Sequence, residues 1–279
     1  MKIGITGATG QLGTLVVEQL KKRTDASSLV AMVRSPEKVD GIEARAFDYE
    51  KPDQLAEALV GVDSLLLISG NEIGQRARQH KNVINAAKEA GVKWIVYTSL
   101  LRADTSTINL AQEHLTTENL LKESGISFTI LRNGWYTENY TGSLSGAVEA
   151  GALIGSAGDG RISSAGRADF AEAAAVVLTS AGHEGKTYEL SGDEAYTLTE
   201  LAEETSKQSG KVIAYQNLPE ADYSQALKSF GLPDGFADAI ASWDVSASKG
   251  DLYDEGKTLS ELIGHSTTPL SEVVKTALN

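Results

Sequence analysis

Cysteine is absent from all 279 residues. Its absence excludes disulfides, thiolate nucleophiles and thiol-based redox sensing together, and is in keeping with a reducing cytoplasm. Long apolar runs are also missing. The longest, such as Leu65-Leu66-Leu67-Ile68, fall far short of the roughly 20 residues that cross a bilayer, so no membrane span is expected. Apolar sequence begins within the first few residues and leaves no room for a signal peptide, so the expectation is a cytoplasmic protein. Basic residues are outnumbered, 25 Lys and Arg against 38 Asp and Glu, for a formal charge of −13. Such a surface does not neutralise phosphates, and nucleic acid is excluded as a partner. The four histidines, His80, His114, His183 and His265, lack metal-ligand spacing and have no cysteine to help them, so no metal is expected. A homodimer is compatible with the sequence but not required by it.

What is present is a glycine-rich turn in a telling context. Thr6-Gly7-Ala8-Thr9-Gly10-Gln11-Leu12-Gly13 follows a strand-like run and opens into a helix-like run with apolar residues at Leu12, Leu15, Val16 and Leu20. Strand, glycine turn and helix together bind the pyrophosphate of a dinucleotide. Gly7 permits the tight turn, Gly10 the approach of a phosphate, and Gly13 close packing of the helix on the sheet. Amides at the helix N-terminus then meet the anion.

The first half alternates short apolar strands with amphipathic helices, the pattern of a doubly wound parallel α/β sheet. Strands are expected at Lys2–Thr6, Leu29–Val33, Glu43–Phe47, Ser64–Ser69, Lys93–Thr98 and Ser127–Leu131, and helices at Gln11–Lys22, Pro52–Val60, Gln75–Ala90 and Ala111–Ser124. Gly91 and Gly125 stand at helix C-cap positions. After Leu131 the rhythm breaks, and the Gly-, Ser- and Ala-rich residues 134–166 read as a loop-bearing connection. A helix at Asp169–Leu178 and a strand at Lys186–Leu190 return to the sheet. Helices at Leu198–Ser206, near Tyr223–Lys228 and at Pro269–Leu278, with a strand at Lys211–Asn217, would build a smaller lobe. The expected division is a Rossmann-like dinucleotide-binding domain over 1–132, rejoined by 167–190, and a substrate lobe from 133–166 and 191–279.

The end of the second strand selects the cofactor. An acid there would hold the ribose 2′-hydroxyl of NAD, whereas Arg34, with Lys38 nearby, offers a donor fork to the 2′-phosphate of NADP. NADPH is therefore expected over NADH; the alternative for Arg34 is a solvated surface residue. Small residues in Ile68-Ser69-Gly70-Asn71 would let the cofactor cross the sheet edge, and Thr98 and Ser99 end the fifth strand where a hydroxyl reaches the nicotinamide half, or serves turn chemistry alone.

Ordinary short-chain dehydrogenases carry Tyr-x-x-x-Lys on the next helix. Here it reads Glu113-His114-Leu115-Thr116-Thr117-Glu118, with His114 in the tyrosine place and Glu118 in the lysine place. His114 could titrate as an acid, or the pair could be a solvated helix face. Arg132-Asn133-Gly134-Trp135-Tyr136-Thr137-Glu138-Asn139-Tyr140 follows the sixth strand. Trp135, Tyr136 and Tyr140 could wall the nicotinamide and stack on a flat substrate, with Asn139 or His114 on a substrate oxygen; an aromatic such as Trp135 could equally be core. Arg167, preceding a helix, would close over the cofactor or be a plain surface charge. Two apparent motifs fail: Gly185-Lys186-Thr187 precedes a strand instead of following one, and Gly142-Ser143-Leu144-Ser145-Gly146 has leucine where a hydrolase nucleophile would stand.

The whole chain resembles the NmrA-like, atypical short-chain dehydrogenases, and among them the bacterial type 2 NAD(P)H:quinone oxidoreductases. The resemblance rests on the glycine turn, Val33-Arg34-Ser35-Pro36, Tyr97-Thr98-Ser99-Leu100-Leu101, Leu131-Arg132-Asn133-Gly134-Trp135-Tyr136 and Ala157-Gly158-Asp159-Gly160. It continues through Gly185-Lys186-Thr187-Tyr188-Glu189-Leu190, Leu227-Lys228-Ser229-Phe230-Gly231-Leu232-Pro233-Asp234-Gly235 and Lys257-Thr258-Leu259-Ser260. It implies NADPH-dependent hydride transfer to a small quinone, with Gly7, Thr9, Gln11, Leu12 and Arg34 on the cofactor. It also implies that residues 133–140 and Arg167 lie between cofactor and substrate. The missing Tyr-x-x-x-Lys is shared by that family, which also contains regulators, so a non-catalytic NADP(H) sensor is the alternative reading.

Overall fold

The computed structural model describes residues 1–279. Its first half runs β1 (Ile3–Thr6), α1 (Gln11–Lys21), β2 (Leu29–Val33), β3 (Glu43–Ala46), α2 (Pro52–Ala58), β4 (Ser64–Leu67), α3 (Arg76–Glu89), β5 (Trp94–Leu100), α4 (Ala111–Ser124) and β6 (Ser127–Asn133). Then follow α5 (Glu138–Thr141), α6 (Leu144–Ala150), β7 (Ala152–Gly155), α7 (Arg167–Thr179) and β8 (Thr187–Leu190). The remainder is α8 (Leu198–Ser209), β9 (Ala214–Asn217), α9 (Glu220–Ser229), α10 (Asp234–Ser248), α11 (Thr258–Ile263) and α12 (Leu270–Leu278).

Seven strands form one parallel sheet in the order β3-β2-β1-β4-β5-β6-β8. Strands buried on both faces read as continuous apolar runs, as in Leu29–Val33 and Ser64–Leu67. Ile3, Ile5, Ala31, Leu66 and Val96 point to the face covered by α1 and α7, while Val30, Met32, Leu65, Leu67 and Ile95 point to the face covered by α2, α3 and α4. Ala171, Ala174 and Ala175 keep α7 slim enough to lie against α1. The chain order reverses between β1 and β4, and a doubly wound sheet opens its ligand crevice at that switch point, beyond the strand C-termini.

The remaining elements form a third core around Leu144, Leu153, Ile162, Leu198, Leu201 and Val274, beside a two-stranded parallel sheet of β7 and β9. Thr197 and Glu200 close a capping box that starts α8. The stretch 134–166 is more ordered than its composition predicts, because α6 and β7 lie within it. The helices α10 and α11 carry no expectation from the sequence. α10 is built largely of Ala, Ser and Asp, which blurs its apolar stripe. α11 is short and packs Leu259 and Ile263 against the α1/α7 side of the large sheet, so part of the tail belongs with the dinucleotide-binding half and not with the lobe.

α10 is held to β7 by one carboxylate. Asp244, only 2% exposed, accepts hydrogen bonds from the Ser156 amide at 2.8 Å and the Tyr140 hydroxyl at 3.0 Å. A β-carbon at Gly155 would lie 2.7 Å from Asp244 Oδ2, so glycine is what lets the helix come this near. Burial pushes the Asp244 carboxyl up to about 6 from its ordinary 3.8. The folded protein therefore keeps a proton that the unfolded chain has released. The stability tied to that proton is present below about pH 4 and is lost as pH rises through about 6. We predict that Asp244→Asn, compared with wild type by denaturant unfolding, removes this pH-dependent part, up to about 3 kcal/mol across the window. An unchanged wild-type slope in the variant would show that Asp244 does not titrate there.

Candidate functional site

The turn after β1 places α1 unusually near its own approach strand. A β-carbon at Gly13 would lie 2.1 Å from the Gly7 carbonyl oxygen, and Gly7 itself has φ +59°. No side chain fits at Gly13, and Gly7 takes a left-handed backbone conformation that favours glycine. α1 starts at Gln11 with Gly10 as its N-cap, no capping side chain and no acid in its first turn. The amides of the first turn, which have no intrahelical acceptor, are thus left facing the crevice as an anion site.

That crevice has a volume of about 730 Å³ and runs across the C-terminal ends of β2, β1 and β4. Gly7, Thr9, Gly10, Gln11, Leu12 and Gly13 form its floor, Arg34, Ser35 and Lys38 one end, Ser69, Gly70 and Asn71 one side, and Tyr136 and Arg167 the other end. Arg34 and Lys38 are both exposed to solvent within it, where two cations can meet a phosphate. The Tyr136 ring carries the Arg167 guanidinium 4.7 Å from its centroid and the edge of Phe170 at 5.3 Å. Arg167 in turn donates to Asn139 Oδ1 at 2.8 Å, and its backbone amide to Glu138 Oε1 at 2.9 Å. Asn139 is exposed and is not among the residues that line the crevice.

Other residues singled out in the sequence stand beneath or behind the crevice. Thr98 Oγ1 accepts the Ser69 amide at 2.9 Å, supporting the Ser69–Asn71 turn from below. Ser99 donates to Glu118 at 2.7 Å. Trp135 turns into the lobe core and packs edge-on against Trp243, with centroids 5.4 Å apart. The Tyr140 hydroxyl is taken by Asp244. Of the three aromatics expected to form a platform, only Tyr136 lines the crevice, because the lobe core behind β6 has its own need for large apolar side chains. Asn133 lies between the two groups: its amide nitrogen reaches the Tyr136 hydroxyl at 3.4 Å, while its buried Oδ1 has no partner. An orphaned acceptor at the end of β6 fits the carboxamide N–H of a nicotinamide.

The dehydrogenase positions on α4 are occupied by structural groups. His114 is 5% exposed and hydrogen-bonds the Tyr97 hydroxyl through Nδ1 at 2.8 Å. Burial, and then the Arg76 charge, push it down to about 3, so it is a neutral imidazole and not an acid. Glu118, fully buried, receives two hydrogen bonds at 2.8 Å from the Arg132 guanidinium. His114, expected as a proton donor, thus stands outside the crevice lining with Nδ1 engaged by Tyr97, and burial favours its unprotonated form. Several lining residues had not been singled out, namely Asp48, Tyr49, Arg76 and Gln79. Tyr49 binds Thr6 Oγ1 at 2.6 Å and the Ile68 carbonyl at 3.1 Å, joining the ends of β1 and β4. The signal for Asp48 and Tyr49 was their place directly after the third strand, where a parallel sheet presents loops to its ligand.

Comparison with known proteins agrees with this geometry. Residues 7–204 match the NAD(P)H-binding family. Quinone oxidoreductase 2 of Escherichia coli is 60% identical over 282 residues, covering 99% of each chain. An NmrA-like family domain-containing oxidoreductase of Aspergillus flavus is 31% identical, over all of this chain and 95% of its own. Among solved structures, an NADPH-dependent quinone oxidoreductase of E. coli complexed with NADPH superposes with a TM-score of 0.97 at 60% identity, covering 99% of this chain and 100% of that one. Triphenylmethane reductase of Citrobacter complexed with NADP(H) does so with 0.96 at 41%, with coverage of 99% and 100%.

His80, buried against Thr117, is pushed down to about 3 like His114. Both rings stay neutral in the fold, while the unfolded chain takes up their protons as pH falls below about 6.5, so the stability they carry is lost on acidification. We expect His114→Gln and His80→Gln each to flatten the acid limb of a stability–pH curve by about 1.4 kcal/mol per pH unit. A limb unchanged in both variants would contradict the neutral assignment.

Proposed function

This chain belongs to the NAD(P)H-binding family of NmrA-like oxidoreductases that includes quinone oxidoreductase 2 of E. coli, and on that footing we propose that it is an NADPH-dependent quinone oxidoreductase. The observation that carries this reading is a crevice lined from Arg34 to Tyr136 through the glycine turn, with His114, in the proton-donor place, buried behind it against the Tyr97 hydroxyl. A ketone would need a proton as the hydride arrives; an electron-poor quinone does not. NADPH, when bound, supplies the hydride.

The chain's own residues then bind, orient and shield. The α1 amides hold the pyrophosphate, with the helix dipole behind them. Arg34 and Lys38 hold the 2′-phosphate, and Asn133 Oδ1 accepts from the carboxamide. Tyr136, with its ring fixed by Phe170 and covered by Arg167, bounds the place where a flat quinone would lie. The Asn139 amide, oriented by Arg167, donates to a quinone oxygen. The reduced quinone leaves as an anion that takes its proton from water, so catalysis rests on positioning.

No helix is long and apolar enough to cross a membrane. In this reading the enzyme works in the cytoplasm on a small quinone; the lack of cysteine supports that placement.

The test is NADPH and NADH oxidation with and without 1,4-benzoquinone, corrected for the uncatalysed rate. We expect quinone-dependent turnover that favours NADPH, and a loss of about 10- to 100-fold in that preference in Arg34→Ala, the worth of a charge-assisted contact to phosphate. Tyr136→Ala should lower kcat more than it weakens NADPH binding. Tight NADPH binding without quinone turnover would instead support an NADP(H) sensor.

A further inference from the structure

Arg76 is a buried charge whose partners do not account for it. It opens α3, is 8% exposed, and still reaches the wall of the crevice beside Gly70. Its Nε donates to the Gly70 carbonyl at 2.5 Å. Its Nη1 is buried without a hydrogen bond, facing Glu113 Oε2 at 3.6 Å, and that oxygen is equally unpartnered. Nη2 has no acceptor in the protein. Of the five donors in the guanidinium fork, Nε is bonded, the two on Nη1 are buried without an acceptor, and the two on Nη2 stay open to the crevice. Burying such a cation is unfavourable unless something completes it.

Position narrows what that something is. The phosphate-binding cations, Arg34 and Lys38, stand at the β2 end of the crevice, and the pyrophosphate site is the α1 turn between. Arg76 stands past both, after β4. Its neighbour Glu113 is on α4, adjacent to His114, which occupies the proton-donor position of ordinary short-chain dehydrogenases. The cation thus lines the crevice on the β4 side, between the Gly70 carbonyl and Glu113 of α4, away from Arg34 and the α1 turn. An ion pair that merely ties α3 to α4 would be expected to close to hydrogen-bond distance, and this one leaves both groups open.

We propose that Arg76 is a catalytic residue, whose guanidinium donates to the quinone oxygen that becomes anionic as the hydride arrives. The inference rests on the quinone-reductase reading above. In the step, the C–H bond at nicotinamide C4 breaks and its electron pair and proton pass to the quinone. NADP⁺ remains, and the quinone becomes the hydroquinone monoanion. Arg76 holds that anion by charge and hydrogen bond without giving up its own proton, and water supplies the second proton. Glu113 tempers the cation before substrate enters.

The test uses 4-nitrophenol, an inert phenol whose phenolate form is coloured, as a stand-in for the hydroquinone monoanion. Its binding to NADP⁺-loaded protein is titrated against pH, and NADPH affinity is measured in parallel by fluorescence. Wild type should bind phenolate about tenfold more tightly than phenol. Arg76→Gln should bring the two within about twofold, and Arg76→Lys should keep part of the preference. Glu113→Gln should strengthen it, since the cation is then no longer shared. NADPH affinity should stay within about twofold throughout, while kcat in Arg76→Gln falls more than KM changes, as for an interaction made in the transition state. An unchanged phenolate preference in Arg76→Gln, or an equal loss of NADPH affinity, would overturn the assignment. Should Arg76→Gln not fold, the Arg76→Lys and Glu113→Gln shifts decide it by the same criteria. Failure of the quinone reading alone would appear differently, as absent turnover in wild type with the phenolate preference intact.

Discussion

The contact between the Gly7 carbonyl and Gly13 organises the rest of the molecule. Because no β-carbon stands between them, α1 starts immediately above the end of β1 and its first-turn amides open onto the switch point of the sheet. From there the crevice can extend in two directions, toward β2 with its cations and toward β4 and β6 with Tyr136 and Asn133. The slim, alanine-rich α7 serves the same geometry from behind, since it allows α1 to lie close to the sheet. A methyl group at Gly13 would force the turn apart and misplace every group that reads the cofactor.

A second constraint is the use of the interior on the α3/α4 side. Where ordinary short-chain dehydrogenases keep a proton-transfer pair, this chain keeps a neutral His114–Tyr97 hydrogen bond and a bidentate Arg132–Glu118 ion pair. Those groups satisfy one another and rigidify the ends of β5 and β6. Breaking the ion pair by removing either partner would leave a buried charge uncompensated, which typically costs about 3–5 kcal/mol. The same rigid ends hold the Ser69–Asn71 turn through Thr98. In the proposed reaction such a site positions the reactants, and water supplies the proton.

Much of this was legible in the sequence, for identifiable reasons. Strands buried on both faces leave uninterrupted apolar runs, and the glycine turn sits where α1 comes so near the end of β1 that Gly13 can carry no β-carbon. The place of Arg34 at the end of the crevice was legible because it follows directly on the second strand. Trp135 and Tyr140 were not, because an aromatic after a strand can turn to the crevice or to the lobe core. The deciding neighbours, Trp243 and Asp244, are over a hundred residues away in α10. α10 itself was hidden by its small residues. Arg76 and Tyr49 were hidden because nothing local separates a ligand-facing side chain from one that faces a neighbouring helix.

Quinone reduction as proposed requires hydride to pass directly from NADPH in this crevice to the quinone. Its most direct test is a single-turnover experiment with NADPH deuterated at C4 on one face at a time, mixed with protein and excess quinone. Loss of the NADPH signal should slow several-fold for one deuterated face only, since a fixed nicotinamide presents one face to substrate. Equal rates for both faces, or a signal that does not change with quinone, would contradict it.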